Sequence, residues 1–124
     1  MASRQDLVLK ELQDLLQLED VLACMLATKG LQGIVPQNIK VTDVNLWKLL
    51  HNTTDEFFDI INRFYDYGLE RLYFELGNYT VIIAPISQSF SLVAIIPSLA
   101  NMGLLDVEIE NTKRKIKGII DKKE

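Results

Sequence analysis

The sequence is poor in the residues on which most small active sites depend. Its 124 residues include one cysteine, Cys24, and one histidine, His51. An intramolecular disulfide is therefore impossible, and a histidine-rich metal site within one chain is excluded. The phosphate-binding patterns Gly-x-x-x-x-Gly-Lys-Ser/Thr and Gly-x-Gly-x-x-Gly are also missing. We expect no cofactor and no metal, and nucleotide binding by this chain has no support.

The chain also lacks an excess of positive charge. It has 13 Lys and Arg residues against 17 Asp and Glu residues, a net charge of −4 and a pI of about 5.0. Binding to the phosphates of nucleic acid requires a basic surface. We therefore expect no nucleic-acid partner.

No apolar run is long enough for a membrane-spanning helix. The longest nearly uncharged stretch, residues 76–105, is interrupted by Gly77, Pro85 and Pro97. The amino-terminal residues continue into an acidic amphipathic segment and show no secretory signal. We expect a cytoplasmic protein without direct membrane insertion. Apolar residues make up 48% of the chain and charged residues 24%, which is typical of one folded domain, here residues 1–124.

The first half of the chain predicts a helix, a hairpin and a second helical segment. Ser3 and Asp6 form a capping-box pattern that opens a helix over residues 3–18. The next two apolar runs, residues 21–28 and 31–35, flank a turn, which favours a β-hairpin over a continuing helix. Residues 42–67 return to helical spacing. Their centre, Asn52-Thr53-Thr54, is polar, so this segment is either one irregular helix or two helices in series.

The second half of the chain predicts three strands and a closing helix. Residues 69–76 and 79–86 flank Gly77-Asn78, which is a good two-residue hairpin signal. Residues 90–96 form the next apolar run, and residues 101–122 have helical spacing. The predicted order of elements is α-β-β-α-β-β-β-α.

The apolar pattern of each strand predicts its place in the sheet. The first, fourth and fifth strands are apolar at nearly every position, so both of their faces must be covered and they lie centrally. Gly33 and Pro36 move the second strand to one edge. The third strand alternates between apolar and polar residues, which is typical of the other edge. With hairpins joining neighbours, the predicted sheet is antiparallel in the order 2-1-5-4-3, within helix–sheet–helix layers of an α+β fold.

The edge strand around Tyr73 has no proline or lysine to prevent it from pairing with another chain. The helical segment before this strand carries more aromatic residues than one sheet face needs, unless these residues only fill the core. Both features predict a homodimer. The predicted dimer-interface residues are Trp47, Phe58, Tyr65, Arg71, Tyr73 and Glu75.

Four segments of the chain carry a family resemblance: residues 18–31, 77–86, 90–97 and 101–105. Together they resemble the Roadblock/dynein light-chain family. They match the family's first hairpin with its turn glycine, its fourth and fifth strands, and the start of its last helix. The likeness covers about residues 4–120 and depends on the order and spacing of the segments, because none of them is a catalytic signature. Residues 36–38 and 52–54 depart from the family pattern.

The resemblance implies dimers with a continuous sheet through the third strands and with paired second helices. It also implies a scaffold or regulator of small Ras-like GTPases. We therefore expect a non-enzymatic interaction module that binds or regulates such a GTPase or scaffolds its complex. The alternative is a structural subunit of a motor or membrane-associated assembly without a GTPase partner. A small-molecule sensor is a third possibility, which would require an internal cavity.

The outer face of the 42–67 segment is the predicted contact surface for the partner. Neighbouring carboxylates on this face can in principle do acid–base chemistry, but a solvated helix surface is the expected role of such a cluster. We expect Cys24 to be a buried, inert thiol, since its neighbours are apolar. The predicted partner-binding residues are Lys48, His51, Asp55, Asp59, Asn62, Arg63 and Asp66.

Overall fold

The computed structural model describes residues 3–37, 39–40 and 43–122. Within them the predicted order of elements is confirmed, except that the second helical segment is divided in two. A 3-10 turn, Tyr65–Tyr67, follows the second of these two helices. The elements are α1 (Arg4–Leu16), β1 (Ala23–Thr28), β2 (Leu31–Ile34), α2 (Val44–Asn52), α3 (Thr54–Phe64), β3 (Leu72–Leu76), β4 (Tyr79–Pro85), β5 (Phe90–Pro97) and α4 (Met102–Asp121).

The strands form one five-stranded sheet in the order β2-β1-β5-β4-β3, which confirms the predicted order. Every pair of neighbouring strands is antiparallel. The central strands are buried along nearly their whole length, whereas β3 has only half-buried and exposed residues. Apolar residues on both faces of a strand therefore did indicate a central position, because both faces are covered by helices.

Successive residues of the central strands belong to two different cores, since side chains alternate between the faces of a sheet. On one face, Leu12 of α1 and Ile109 of α4 pack against the sheet. On the other face, Phe58 and Ile61 of α3 do so. All four side chains are almost completely buried, and each such burial contributes about 1.5–3 kcal/mol. The three layers place α3 and α4 on opposite sides of the same sheet.

Side-chain caps define where the first and last helices begin. The Asp6 N–H donates to Ser3 Oγ at 3.1 Å, and the Ser3 N–H donates to Asp6 Oδ2 at 3.4 Å, so the predicted capping box is present. Asn101 caps α4 by accepting from the Leu104 N–H at 3.3 Å. No helix among the described residues is both long enough and apolar enough to cross a membrane.

The second helical segment is two helices in series, one of the two alternatives left open by the sequence. The Thr53 hydroxyl donates to Leu49 O at 2.5 Å and the Thr54 hydroxyl donates to Leu50 O at 3.1 Å. Such bonds to the preceding turn bend a helix, and here they coincide with the break between α2 and α3. The predicted start of the segment, Thr42, lies outside the described residues.

Two strands begin later in the structure than the sequence predicts. The Val21 N–H donates to Leu18 O at 3.1 Å, so Val21 belongs to the turn after α1 and β1 begins two residues later. β3 begins at Leu72, after Gly68 has turned the chain with a φ of +80°. Val21 shows that apolar character predicts burial. The ends of a strand are set instead by which residues pair with the neighbouring strand.

Candidate protein-interaction surface

The two edges of the sheet are not equally protected against pairing with another chain. β2 has four residues, and its register with β1 shifts between Leu26 and Thr28. Gly33 lies at this shift, where an added Cβ would overlap the Leu26 carbonyl oxygen and lie 2.9 Å from Met25 Cε. A short, irregular strand followed by Pro36 is a poor template for pairing.

β3 is a regular strand whose outer edge is free among the described residues. The Ser98 N–H donates to Asn78 O at 2.9 Å, continuing the β4–β5 register. Bonded and non-bonded pairs alternate in an antiparallel ladder, so even-numbered residues of β4 bond to β5 and odd-numbered ones to β3. The β3–β4 register then leaves the backbone groups of Tyr73 and Glu75 directed toward the free edge.

Exposed apolar side chains surround this free edge. Phe64 of α3 is 53% exposed, Tyr73 of β3 is 46% exposed and Leu76 is 44% exposed. Ile60 is also exposed, one turn before Phe64 on the same side of α3. Contiguous exposed apolar surface often marks an interaction site. We call Ile60, Phe64, Tyr73 and Leu76 the edge patch, although within β3 the side chain of Leu76 projects to the α3 face and that of Tyr73 to the α4 face.

An aromatic contact brings this side of α3 to β3. The rings of Phe57 and Phe74 lie 5.4 Å apart with their planes tilted by 32°, a separation at which aromatic pairs attract. Phe57 precedes Ile60 and Phe64 on the same side of the helix. The exposed apolar residues of α3 therefore lie on the side of the helix from which Phe57 reaches β3.

The opposite face of β3 is attached to α4 through Arg71, the residue immediately before the strand. Its guanidinium donates to Asp106 Oδ1 at 2.7 Å, to Asp106 O at 3.1 Å and to Glu110 Oε2 at 3.1 Å. The Tyr73 hydroxyl donates to the same Asp106 oxygen at 3.1 Å. Burial, and then this hydrogen bond, raise the pKa of Tyr73, so the hydroxyl stays protonated to a higher pH than that of a free tyrosine. The charged groups on this face are therefore paired with each other. The backbone groups at the outer edge of β3 are the part of the strand that remains open to a partner.

The predicted interface residues of the helical segment have different surroundings. Phe58 was a wrong choice, because it is 1% exposed and lies in the core between α3 and the sheet, where a second copy has no access to it. Trp47 is half-buried against the same core, with its ring 5.0 Å from that of His51. Tyr65 is exposed at the end of α3.

The predicted interface residues of β3 lie on one face of the strand. Tyr73 and Glu75 are exposed, and both direct backbone groups to the free edge. Arg71 is on the same face but its side chain is largely buried by α4. Their assignment to a dimer interface stays a prediction.

The sequence did not single out Ile60 as an exposed apolar residue. It placed Phe64 in one apolar stripe with Leu50 and Ile61, along one helical period through residues 42–67, and also counted it among the surplus aromatic residues of that segment. The break before Thr54 changes this phase, and Phe58 and Ile61 are the buried residues of α3. Measured from these two, Ile60 and Phe64 project to the side of the helix and are exposed. The i,i+4 spacing of two apolar residues outside the buried stripe was the available signal.

The predicted partner-binding residues are only partly free. Asp55 accepts from the Gly30 N–H at 3.3 Å, so it holds the β1–β2 turn. Asn62 is half-buried, and its Oδ1 has no hydrogen-bond partner among the described residues. His51 is also half-buried. The exposed members of the set are Lys48, Asp55, Asp59, Arg63 and Asp66.

The interior of the domain has little room for a ligand. The space between α3 and the sheet that is lined by Phe58, Ile83 and Ser91 measures about 10 Å³, which is enough for about one water molecule. A more open polar groove of about 340 Å³ lies between Gly30 and His51. The described residues contain no group of His, Cys, Asp and Glu side chains suited to a metal ion. A filled core argues against the small-molecule sensor.

Cys24 is a buried thiol in the core between the sheet and α1. Its Sγ donates to Leu12 O at 3.3 Å. Burial raises the pKa of Cys24 to about 12, although the positive charge of Lys40 lowers it somewhat. Because the thiolate is the reactive form, this residue is unsuited to nucleophilic chemistry.

Comparison with solved structures confirms the resemblance to Roadblock domains at the level of the fold. MglB of Myxococcus xanthus superposes with a TM-score of 0.79 at 13% identity, covering 98% of this chain and 92% of that chain. A Roadblock/LC7 domain from Streptomyces avermitilis gives a TM-score of 0.67 at 13% identity, with 91% and 97% covered. An MglB with tetrameric arrangement gives 0.70 at 10% identity, with 96% and 91% covered.

Sequence comparison gives a family. No curated protein is similar enough in sequence to count as a match. The family model described as AF0774-like protein matches residues 4–110. This range includes every strand of the sheet and the helices α1, α2 and α3. The chain therefore belongs to the AF0774-like protein family, and its fold is that of a Roadblock domain.

Proposed function

We propose that the protein is a non-enzymatic, dimeric interaction module of the cytoplasm that binds or regulates a small Ras-like GTPase, or scaffolds the complex of one. The observation that carries the proposal is the edge patch beside the free edge of β3. The patch joins exposed apolar side chains to unpaired backbone donors and acceptors. A second copy of the chain satisfies both at once.

The contrast between the two edges supports self-association through β3. Gly33 and the irregular register limit pairing at β2, whereas β3 has a regular register throughout. A two-fold axis at β3 would continue the sheet from one copy into the next and would set the two α3 helices side by side. Ile60 and Phe64 would then be covered by the other copy.

The GTPase part of the proposal is supported by the resemblance to Roadblock domains. Paired α2 and α3 helices would present one shared outer face to a partner, with Lys48, Asp59 and Arg63 exposed on it. Since the described residues offer no catalytic group, an effect on GTP hydrolysis would come from reshaping the switch loops of the GTPase itself.

Binding to the Ras-like GTPases of the source organism tests this part directly. Each purified GTPase is titrated with the protein by calorimetry, once loaded with GDP and once with a non-hydrolysable GTP analogue, and GTP turnover is followed separately. We expect one of them to bind with a preference for one nucleotide state. If none binds and no turnover rate changes, the GTPase proposal fails.

Charge reversal locates the contact surface. Asp59→Lys and Arg63→Glu change exposed residues of α3, and we expect either to weaken binding by about tenfold. Asp14→Lys is the matched control, since Asp14 is exposed on α1 in the opposite layer. Equal effects of Asp59→Lys and Asp14→Lys would contradict the assignment of the outer face of α3.

A further inference from the structure

The free edge of β3 allows only a few ways for two copies to pair, because few of its residues direct backbone groups outward. We propose that β3 pairs with β3 of a second copy in one register, with Phe74 on the two-fold axis, Leu72 opposite Leu76 and Tyr73 opposite Glu75. This inference rests on the dimer of the proposed function and adds which residues meet.

The backbone sets the first condition. In an antiparallel pair, two residues that exchange hydrogen bonds must both direct their N–H and C=O groups toward the other strand. Within β3 these residues are Tyr73 and Glu75, because Leu72, Phe74 and Leu76 are bonded to β4. With Phe74 on the axis, Tyr73 of each copy exchanges both backbone bonds with Glu75 of the other. All residues of β3 then lie opposite residues of the second β3.

The side chains on the α3 face favour this register. Leu72 meets Leu76 of the other copy, and Phe74 meets its own equivalent in a non-bonded pair, where side chains are closest. Phe57 lies 5.4 Å from Phe74 in each copy, so the two Phe74 rings would join two aromatic pairs into one row. The exposed part of Leu76 would be covered by an apolar residue.

The other registers that satisfy the backbone condition are less favourable. An axis at Glu75 places two carboxylates directly opposite each other. An axis at Tyr73 places Glu70, which precedes β3, opposite Leu76. The axis at Tyr73 would also pair Arg71 with Glu75, but Arg71 is already bound by two carboxylates of α4.

Disulfide cross-linking distinguishes these registers. In a Cys24→Ala background, which removes the native cysteine, Phe74→Cys and Tyr73→Cys are oxidised under identical mild conditions and resolved on non-reducing gels. Residues of a non-bonded pair have Cα atoms about 4.5 Å apart, within the range of a disulfide. We expect Phe74→Cys to cross-link about tenfold faster than Tyr73→Cys or more, because Tyr73 of one copy is offset from Tyr73 of the other.

A second experiment covers the case in which Phe74→Cys disturbs the fold. Leu72→Cys and Leu76→Cys proteins are prepared in the same background, mixed under reducing conditions to exchange subunits, and then oxidised. The proposed register predicts a mixed disulfide in the mixture and little cross-linking of either protein alone. Fast cross-linking of Tyr73→Cys, with slow cross-linking of Phe74→Cys and no mixed disulfide, would overturn the register.

Sedimentation of the Cys24→Ala protein separates failure of the register from failure of the dimer. If it sediments as a dimer and no variant cross-links, the copies do not meet along β3 in this register. If it sediments as a monomer, the dimer of the proposed function fails, and the register fails with it.

Discussion

Arg71, the residue immediately before β3, and Asp106 of α4 form the contact that attaches the edge strand to the helix layer, with 2.7 Å between Nη1 and Oδ1. The Arg71 side chain is 13% exposed and Glu110 is its second partner. The contact joins residues 35 positions apart in the sequence. It holds the strand in place while the outer backbone groups of the same strand remain free.

Replacing Arg71 should destabilise the protein more than a surface ion pair would suggest. Arg71→Ala leaves two carboxylates without their partner, and we expect the free energy of unfolding to fall by about 1–3 kcal/mol, limited by the partial exposure of Asp106 and Glu110. Lys117→Ala is the control, because Lys117 and Asp121 form an exposed pair at 3.1 Å. Lys117→Ala should lower the free energy of unfolding by no more than about 0.5 kcal/mol. Urea unfolding at one protein concentration measures both, and equal losses would contradict the account.

Two aromatic residues of α3 should have different roles. Phe58→Ala removes a side chain that is fully enclosed, and should lower the free energy of unfolding by about 3–5 kcal/mol. Phe64→Ala removes an exposed ring, so unfolding of the dilute protein should change by about 0.5 kcal/mol or less while self-association weakens about tenfold. Denaturation and sedimentation of both variants check this. A stable dimer of Phe64→Ala would remove this residue from the edge patch.

Gly33 is required by a close approach of two strands. Gly33→Ala should lower the free energy of unfolding by about 1–3 kcal/mol, because its Cβ would overlap the backbone of β1. Gly118→Ala is the matched control in α4, where an added Cβ meets nothing within 4 Å. Since alanine is the better helix former, this change should stabilise the protein by about 0.5–1 kcal/mol. Thermal unfolding of the two variants should therefore shift in opposite directions.

The order of the sheet was predictable because it depends on patterns within single strands. Val81 to Ile86 had to be covered on both faces, and Gly33 and Pro36 excluded the centre for β2. The capping box at Ser3 was equally local. In contrast, the pairing of Arg71 with Asp106 depends on how α4 crosses the sheet, which no local pattern contains. Which aromatic residues of α3 are buried and which are exposed depends on the break at Thr53, and a single helical period carried through residues 42–67 does not contain that break.

Cys24 should be unreactive in the folded protein. Burial raises its pKa from 9.0 to about 12, so the thiol stays protonated at pH 8 to 9. Iodoacetamide at pH 8 should label Cys24 rapidly in urea and very slowly in buffer. Since the folded state holds the thiol protonated, its contribution to stability is complete below about pH 9 and is lost between about pH 9 and pH 12. Rapid labelling in buffer would show that the β1 environment opens readily.

Tyr73→Pro tests whether β3 pairs with β3 of a second copy. Proline removes the N–H of Tyr73, which faces the free edge, and leaves the bonds from Leu72 and Phe74 to β4 in place. Circular dichroism should therefore show a folded protein.

Sedimentation velocity of the native protein and of Tyr73→Pro is the decisive measurement. We expect a dimer for the native protein and a folded monomer for Tyr73→Pro at the same micromolar concentration. A native protein that sediments as a monomer, or a Tyr73→Pro variant that remains fully dimeric, would contradict pairing through β3.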